Sequence, residues 1–422
     1  MSAAPEAQRT EPGEHRPSPP GAKYAVFVLT AMNLLNYADR YVPSAIKDLY
    51  KRDLHLTDLQ TSLPLTAFVL VYIIASPAFG ALADKIPRKK LIAAGVAAWS
   101  IATTAAAMAT GFVSFFIARA LVGIGEAAYA TLSPSLLSDF YPPTKRNRVL
   151  TFFYLAIPLG AAVGYGVGAA VGKSFGWRAA FLAAGIPGLL VAGLALKVQE
   201  PKRGYFDKQK REHQGGWPKA LKALGKNANF LTATAGYAAV MFAAGAIADW
   251  FPTFLQRERG FELATAGTVF GSITIVCGIA GTVAGSWGAE KLIGKTSHPY
   301  LAFSGLAMIP ASVCAALTLI VPGKASAIIF LALGQFFAWS YNGPINAMIV
   351  NSVPSPLRTR AISISVLATH LLGDAVSPSI VGWLSDHGGG LRHAMWVAPI
   401  AMAIGTAVWI VSWRLLPETD HD

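Results

Sequence analysis

Apolar runs long enough to cross a bilayer recur along the chain from Tyr24 to Leu415. A helix needs about 20 mostly apolar residues to span the hydrocarbon core. The pattern predicts twelve such helices, at 24–45, 59–83, 91–109, 112–139, 148–172, 178–197, 230–255, 263–290, 299–321, 325–352, 360–385 and 393–415. Helix is the reading at this length because backbone N–H and C=O groups find no water to bond inside a membrane. One long polar stretch, 198–228, interrupts the series between the sixth and seventh runs. It is rich in Lys, Arg and Glu and holds Pro201, Gly204, Gly215, Gly216 and Pro218, which is linker composition. Within it, 217–226 predicts a short amphipathic helix on the membrane surface. The chain thus divides into a six-helix bundle at 23–197, a linker at 198–228 and a second six-helix bundle at 229–415. Tails at 1–22 and 416–422 flank them.

Composition narrows the class. The 422 residues are 54% hydrophobic and only 14% charged, with a mean hydropathy of +0.46. Soluble domains carry about a quarter charged residues, so an ordinary soluble enzyme, a disordered protein and a small disulfide scaffold are excluded. The net charge of +13 would suggest nucleic acid in a soluble protein. Here basic loops holding helix ends explain it, and no nucleic-acid partner is expected. Cys277 and Cys314 both lie inside apolar segments, so neither a disulfide framework nor a metal site is expected. Residues 1–22 contain five prolines and lack the features of a signal peptide. They read as a disordered tail.

Orientation follows from Lys and Arg, which concentrate in cytoplasmic loops. With both termini inside, the inner loops and tails carry 24 of the 35 Lys and Arg, and the outer loops carry 9. Cytoplasmic termini are therefore expected. The Ala and Gly content points to a bacterial source, hence a bacterial inner membrane.

The two halves echo each other at an offset of about 212 residues. SPS at 133–135 faces GPI at 343–345. Pro142, Arg146 and Arg148 match Pro354, Arg358 and Arg360. FGWRAAF at 175–181 matches GGLRHAM at 389–395. Ordered matches at one drifting offset imply a duplicated six-helix unit. Parallel repeats of this kind build transporters with a substrate site between the halves near the midplane. Shared helix-end chemistry is the competing explanation.

Ionisable side chains within spans cost about 2.5–3.5 kcal/mol on insertion scales and are functional candidates by default. The first span contains Asn36, Tyr37, Asp39 and Arg40 in NYADRY (36–41). Asn33, Tyr37, Arg40 and Ser44 share one helix face, with Asn36 and Asp39 beside it. The fourth span contains Arg119 and Glu126, two turns and about 10 Å apart. Each should therefore meet a group on another helix, and Asp39 is the natural partner for Arg119. Glu126 is left among Gly123, Gly125 and Ala127, a dry setting that suits a proton-carrying carboxyl. Asp39, Arg119 and Glu126 are the proton-coupling candidates. A purely structural ion network, or an outer helix end bathed in water, is the alternative. Span ten aligns Gln335, Trp339, Asn342 and Asn346 on a neutral, wet face. Span eleven carries Thr369, His370 and Asp374, with Ser377 near. The His–Asp pair suits proton relay or headgroup binding, or simply satisfies itself. Tyr129 and Ser133 on the fourth span join Tyr37, Asn36 and Arg40 as substrate-binding candidates. Asp249 in span seven reads as an outer gate residue.

The loop GALADKIPRKK (80–90) sets Gly80 at a close helix crossing. Asp84 is placed to accept from backbone donors at the start of span three. Arg88 is placed to reach acids such as Asp139. GWLSD (382–386) repeats the Gly-to-Asp spacing. Two resemblances to nucleotide sites fail. GAEKLIGKT (288–296) has five residues between its glycines where a phosphate loop has four. GIGEAA (123–128) lies inside a span with no strand before it.

The twelve spans in two halves, the GALADKIPRKK loop, RALVGIGEA (119–127) and the glycine-rich fifth span resemble the major facilitator superfamily. NYADRY, GIGEAAYATLSPSLLSDFYP (123–142) and FGWRAAF are similar to its spinster group of lipid transporters. The resemblance implies an all-α membrane protein of two pseudo-symmetric bundles that rock in alternating access. It implies a proton-coupled secondary transporter, with no cofactor beyond the proton gradient, moving a lysolipid or a sphingolipid phosphate. Asp39, Arg40, Arg119 and Glu126 would be coupling and binding charges. Gly80, Asp84, Arg88 and Asp139 would form the cytoplasmic gate. Pro87 departs from the glycine usual in the first loop, and GSWGAEKL (285–292) is a degraded second copy. A monomer surrounded by membrane lipids is expected. A multidrug or organic-anion carrier is the runner-up. A membrane enzyme using His370 and Asp374, and a passive channel, remain as readings from other classes.

Overall fold

The computed structural model describes residues 17–206, 217–354 and 357–416. Most of the expected N-terminal tail, all but the first residue of the C-terminal tail and the centre of the linker fall outside the described residues. All regular structure among the described residues is helical. The first half comprises α1 (Ala22–Ala45), α2 (Lys47–Asp53), α3 (Asp58–Leu82), α4 (Arg88–Ala106), α5 (Phe112–Phe140) and α6 (Pro143–Leu196). A short α7 (Trp217–Leu224) belongs to the linker. The second half comprises α8 (Ala228–Arg259), α9 (Leu263–Glu290), α10 (Pro299–Ile320), α11 (Lys324–Ser340), α12 (Asn342–Asn351), α13 (Arg358–Thr369), α14 (Ser377–His387), α15 (Leu391–Ala394) and α16 (Val397–Leu415).

These elements supply the twelve spans. Eight helical stretches are individually long and apolar enough to cross a membrane. One of them, the long α6, contains both the fifth and sixth spans. The charges of α1 and α4 and the break between α11 and α12 take those three spans below the same measure. Span eleven is interrupted at His370–Asp374, a wider helical turn in which Gly373 leaves helical geometry. Widened turns of this kind recur at functional sites.

The duplication seen in sequence is a duplication of backbone. Gly176, in the left-handed region at φ 84° and ψ 165°, turns α6 from span five into span six. Gly390, at φ 95° and ψ 176°, makes the same turn before α15. A side chain would strain either position. Two residues on, Arg178 donates to Asp53 at 2.5 Å and Arg392 donates to Glu258 at 3.0 Å. Each arginine thus ties the turn to the end of its half's first span, or to the short helix that follows it. Hydrogen bonds from Arg178 and Trp177 hold the Asp53 carboxyl below the usual carboxylate range.

Small residues set the spacing within each half. A Cβ on Gly125 would meet the carbonyl oxygen of Gly95 and lie 2.6 Å from the amide nitrogen of Trp99. α4 and α5 therefore touch backbone to backbone, as small residues allow in membranes. Gly125→Ala is expected to push them apart at about 1–3 kcal/mol. Thermal unfolding in detergent should show a Tm lower by several degrees, and an unchanged Tm would contradict this packing.

The start of α1 and the end of α16 lie at one end of the spans. The bonds joining the two halves gather toward the opposite, distal end. Thr66 donates to the Ala375 carbonyl at 2.6 Å, and Tyr165 donates to the Ala248 carbonyl at 2.6 Å. Further out, α14 lies across the start of α3, and Lys173 bonds Glu262 at 2.5 Å.

Candidate functional site

Two buried ion pairs occupy the middle of the first half. Asp39 on α1 accepts from Arg119 on α5 at 3.0 Å and from Thr103 on α4 at 2.5 Å. Three helices thus converge on one carboxylate. Arg40, the next residue on α1, projects toward another face and donates to Glu126 at 2.6 Å. Glu126 is fully buried, and among the described residues its Oε1 has no hydrogen-bond partner. The Arg40 guanidinium is stacked near Tyr37 and Phe68, each 4.9 Å from ring centroid. Its side chain keeps 21% exposure. Arg40 is therefore a cation already held by a carboxylate, rather than a free anchor. Removing one member of such a buried pair leaves an uncompensated charge, at about 3–5 kcal/mol.

A third buried cluster joins the halves on the distal side. Lys47, fully buried, pairs with Asp249 on α8 and lies 3.6 Å from the Trp250 ring centroid. Asp249 also accepts from Ser44 and Ser62, both at 2.8 Å. Beyond it, Arg257 bridges Asp48 and Asp58, donating to Asp58 at 2.8 and 2.9 Å. Lys51 pairs with Asp58 at 2.5 Å, and Ser385 donates to Asp58 at 2.6 Å. Asp386 accepts from the backbone N–H groups of Asp58 and Leu59, both at 2.9 Å. A carboxylate at a helix N-terminus is favoured by the helix dipole. GWLSD therefore works at the distal end, away from the loop motif it resembles, because odd-numbered spans end there. A cleft of about 10 Å³, room for one water, lies between the clusters and is lined by Arg40, Ser44, Arg119 and Asp249.

Between the halves lies a cavity of about 300 Å³. Its wall is largely apolar and aromatic, with Tyr41, Tyr165, Tyr237 and Met241 among its members. Gln335, Trp339, Asn342 and Asp374 supply polar groups. Trp339 donates to Gln335 at 3.0 Å, so the wet face of span ten is shared along its own helix. His370 Nδ1 lies 2.9 Å from both oxygens of Asp374. The pair is local, one turn along its helix, with Asp374 presented to the cavity.

Other candidates are placed elsewhere. Tyr129 is buried inside the first half, donating to the Leu29 carbonyl at 2.7 Å and packed edge-on against Trp99. Ser133, one turn further, is fully buried as well. Asn36 is buried on the side of α1 away from the cavity lining. Thr369 is buried and donates to the Val366 carbonyl of its own helix at 3.0 Å. All four side chains thus face neighbouring helices of their own half, and the cavity wall is built by other residues.

The loop after α3 also differs from expectation. Glu200, from the linker, accepts from the backbone N–H groups of Arg88 and Lys89, both at 3.1 Å. Asp84, expected there, is exposed and pairs with Arg203 at 2.7 Å. It follows the end of α3 and points outward, so the longer linker carboxylate reaches the start of α4 instead. Arg88 pairs with Asp139 at 2.6 Å and Glu200 at 2.9 Å. Asp139 also accepts from the Gly204 N–H at 3.1 Å. Gly80 is in ordinary contact with the Thr131 methyl. Asp84, Arg88 and Asp139 are thus all strapped by the linker. Sequence reading missed Lys47, Asp48, Lys51, Asp58 and Arg257, which read as loop charges. The available signal was that Lys47 continues the Arg40 and Ser44 stripe at helical spacing.

The model of the Major Facilitator Superfamily matches residues 29–373. Protein spinster of Drosophila melanogaster is 33% identical over 86% of this chain, which spans 62% of that relative's length. Spinster homolog 1 of Xenopus tropicalis is 33% identical, over 86% of this chain and 72% of the relative. The sphingosine-1-phosphate transporter SPNS2 of Danio rerio is 31% identical, over 86% and 76% respectively. A crystal structure of a bacterial homolog to the human lysosomal transporter spinster superposes with a TM-score of 0.84. It is 22% identical, covering 94% of this chain and 98% of that one, and so bears on the fold alone. With two six-helix halves around one crevice and matches of this extent, the chain belongs to the major facilitator superfamily and, within it, to the spinster proteins.

Proposed function

We propose that the protein is a proton-coupled secondary transporter that moves an amphipathic, lipid-like anion by alternating access. The observation that carries this reading is the Arg40–Glu126 pair, which α1 places one residue from Tyr41 on the wall of the apolar cavity. Arg40 is partly exposed and Glu126 is fully buried. Protonating Glu126 would release the guanidinium for a substrate anion, while the apolar wall takes a hydrocarbon tail. A ligand can shift a conformational equilibrium only by its differential affinity for the two states, and proton and anion would share that lever. Similarity to a sphingosine-1-phosphate transporter supports a lipid phosphate or lysolipid as cargo. An amphipathic drug would suit the same walls and is the second reading.

The Lys and Arg asymmetry supports cytoplasmic termini, and the Ala and Gly content supports a bacterial cell. The distal end, closed by the Lys47 and Arg257 clusters, would then face outward, and this state would open inward. No cofactor beyond the proton gradient is invoked, and a monomer suffices because each chain holds both halves.

The test is uptake of labelled lysophospholipid into proteoliposomes. A saturable, counterflow-capable flux driven by a pH gradient is expected. Flux that is linear in substrate and indifferent to the gradient would contradict the proposal. Arg119→Ala is expected to reduce uptake to background, because Asp39 is left buried with only Thr103. Wild-type uptake would remove Arg119 from the machinery. Substrate class is read by thermal shift, since a ligand that binds only the folded state raises Tm. Lysolipids and sphingoid phosphates should raise it. A rise with drug-like cations alone would favour the drug-carrier reading.

A further inference from the structure

The linker helix α7 carries a surface that the transport cycle does not use. Ala220 and Leu224 are buried, Leu224 in the same apolar cluster as Phe230 at the start of α8. They dock the helix on the second half. The adjoining stripe is bare. Trp217 is 54% exposed and Leu221, one turn on, is 53% exposed. Lys219, Lys222 and Lys226 are exposed on the remaining face, and no acidic residue lies between Trp217 and Asn227. The Arg360 guanidinium lies 5.8 Å from the Trp217 ring centroid, and Arg358 is exposed beside the start of the same helix. α8 begins at Ala228 and α13 at Arg358. α7 therefore sits level with the ends of two spans, at the boundary between hydrocarbon and water.

An aromatic and a leucine on one side, with lysines on the other, is the chemistry of a helix lying in a membrane interface. Each basic residue near an anionic leaflet contributes about 1 kcal/mol. The patch has the sign and level to meet headgroups of the surrounding bilayer. We propose that α7 is an anchor for anionic phospholipid headgroups, with Trp217 and Leu221 seated among the upper acyl carbons and Lys219, Lys222 and Lys226 gathering phosphates. Because α7 packs on the second half and touches Arg360, the bound lipids stabilise that half at the end where α1 begins and α16 stops.

The full-length protein in mixed micelles tests this, titrated with phosphatidylglycerol or with phosphatidylcholine while Tm is followed. Phosphatidylglycerol should raise Tm, less so at high salt, and phosphatidylcholine should not. The K219Q/K222Q/K226Q variant should lose about ten-fold or more in apparent phosphatidylglycerol affinity. Its Tm without lipid reports whether it folds. Leu221→Ser should weaken the response without changing charge. K145Q/R148Q, which removes two exposed charges at the same end, should keep it. An undiminished response in the lysine variant, or an equal loss in the K145Q/R148Q control, overturns the proposal. So does an equal rise with phosphatidylcholine, or a rise with polyglutamate in place of lipid, which would make α7 a protein dock.

Discussion

Glu126→Gln is expected to remove the stimulation of uptake by a pH gradient while leaving substrate binding intact or tighter. Glutamine keeps the shape of the side chain and an acceptor for Arg40 at the 2.6 Å contact. It cannot lose or gain the proton. The guanidinium, no longer neutralised, becomes available to an anion at all pH values. Losing the partner charge of a buried pair is worth about 3–5 kcal/mol, so the gradient-driven component should fall by two orders of magnitude or more, on the order of that energy at about 1.4 kcal/mol per decade. Exchange of substrate against substrate should persist. If the gradient still drives uptake in this variant, Glu126 is not the coupling group and Asp39 takes its place as candidate.

The second large effect belongs to the distal side. Lys47→Ala should turn the equilibrium away from the closed distal end. Asp249 would keep its bonds from Ser44 and Ser62 but would remain buried as an uncompensated carboxylate. Splitting the halves would rehydrate it. A bias of about 3–5 kcal/mol changes the ratio of the two states by roughly a hundredfold or more. Spin labels at Arg52 and His387, both exposed at that end, should report a longer distance in Lys47→Ala than in the parent. Asp249→Asn combined with Lys47→Ala removes both charges and should return most of the shift. An unchanged distance in the single variant would mean that Lys47 does not hold the distal end shut.

The architecture was legible because membrane spans are long, apolar and uniform, and because Gly176 and Gly390 make the same left-handed turn in both halves. The pairing of Asp39 with Arg119 could be argued from cost alone, since two ionisable groups inside neighbouring spans seek each other. The partner of Glu126 could not. The sequence pattern leaves Arg40 to the substrate, whereas α1 turns Arg40 toward Glu126 and Asp39 toward Arg119 and Thr103. Proximity in sequence groups Tyr129, Ser133, Asn36 and Thr369 with the substrate site, but in a helix one residue of displacement rotates a side chain by about 100°. The distal cluster was hidden because Lys47, Asp58 and Arg257 sit at helix ends, where a charge is ordinarily solvated. What buries them is contact between halves, and no local pattern encodes it. Glu200 replaces Asp84 at the start of α4 for the same reason, since the linker folds back over the bundle.

The most direct test of the crevice is thiol accessibility. In a background without Cys277 and Cys314, a cysteine at Met241, on the cavity wall, is exposed to a membrane-impermeant maleimide from either side. Labelling from the side where α1 begins, protection by lysolipid, and labelling from the distal side once Lys47→Ala is added are the predicted results. No labelling from either side in any of these forms, or equal labelling from both sides in the parent, would contradict two halves that rock around a shared, alternately open crevice.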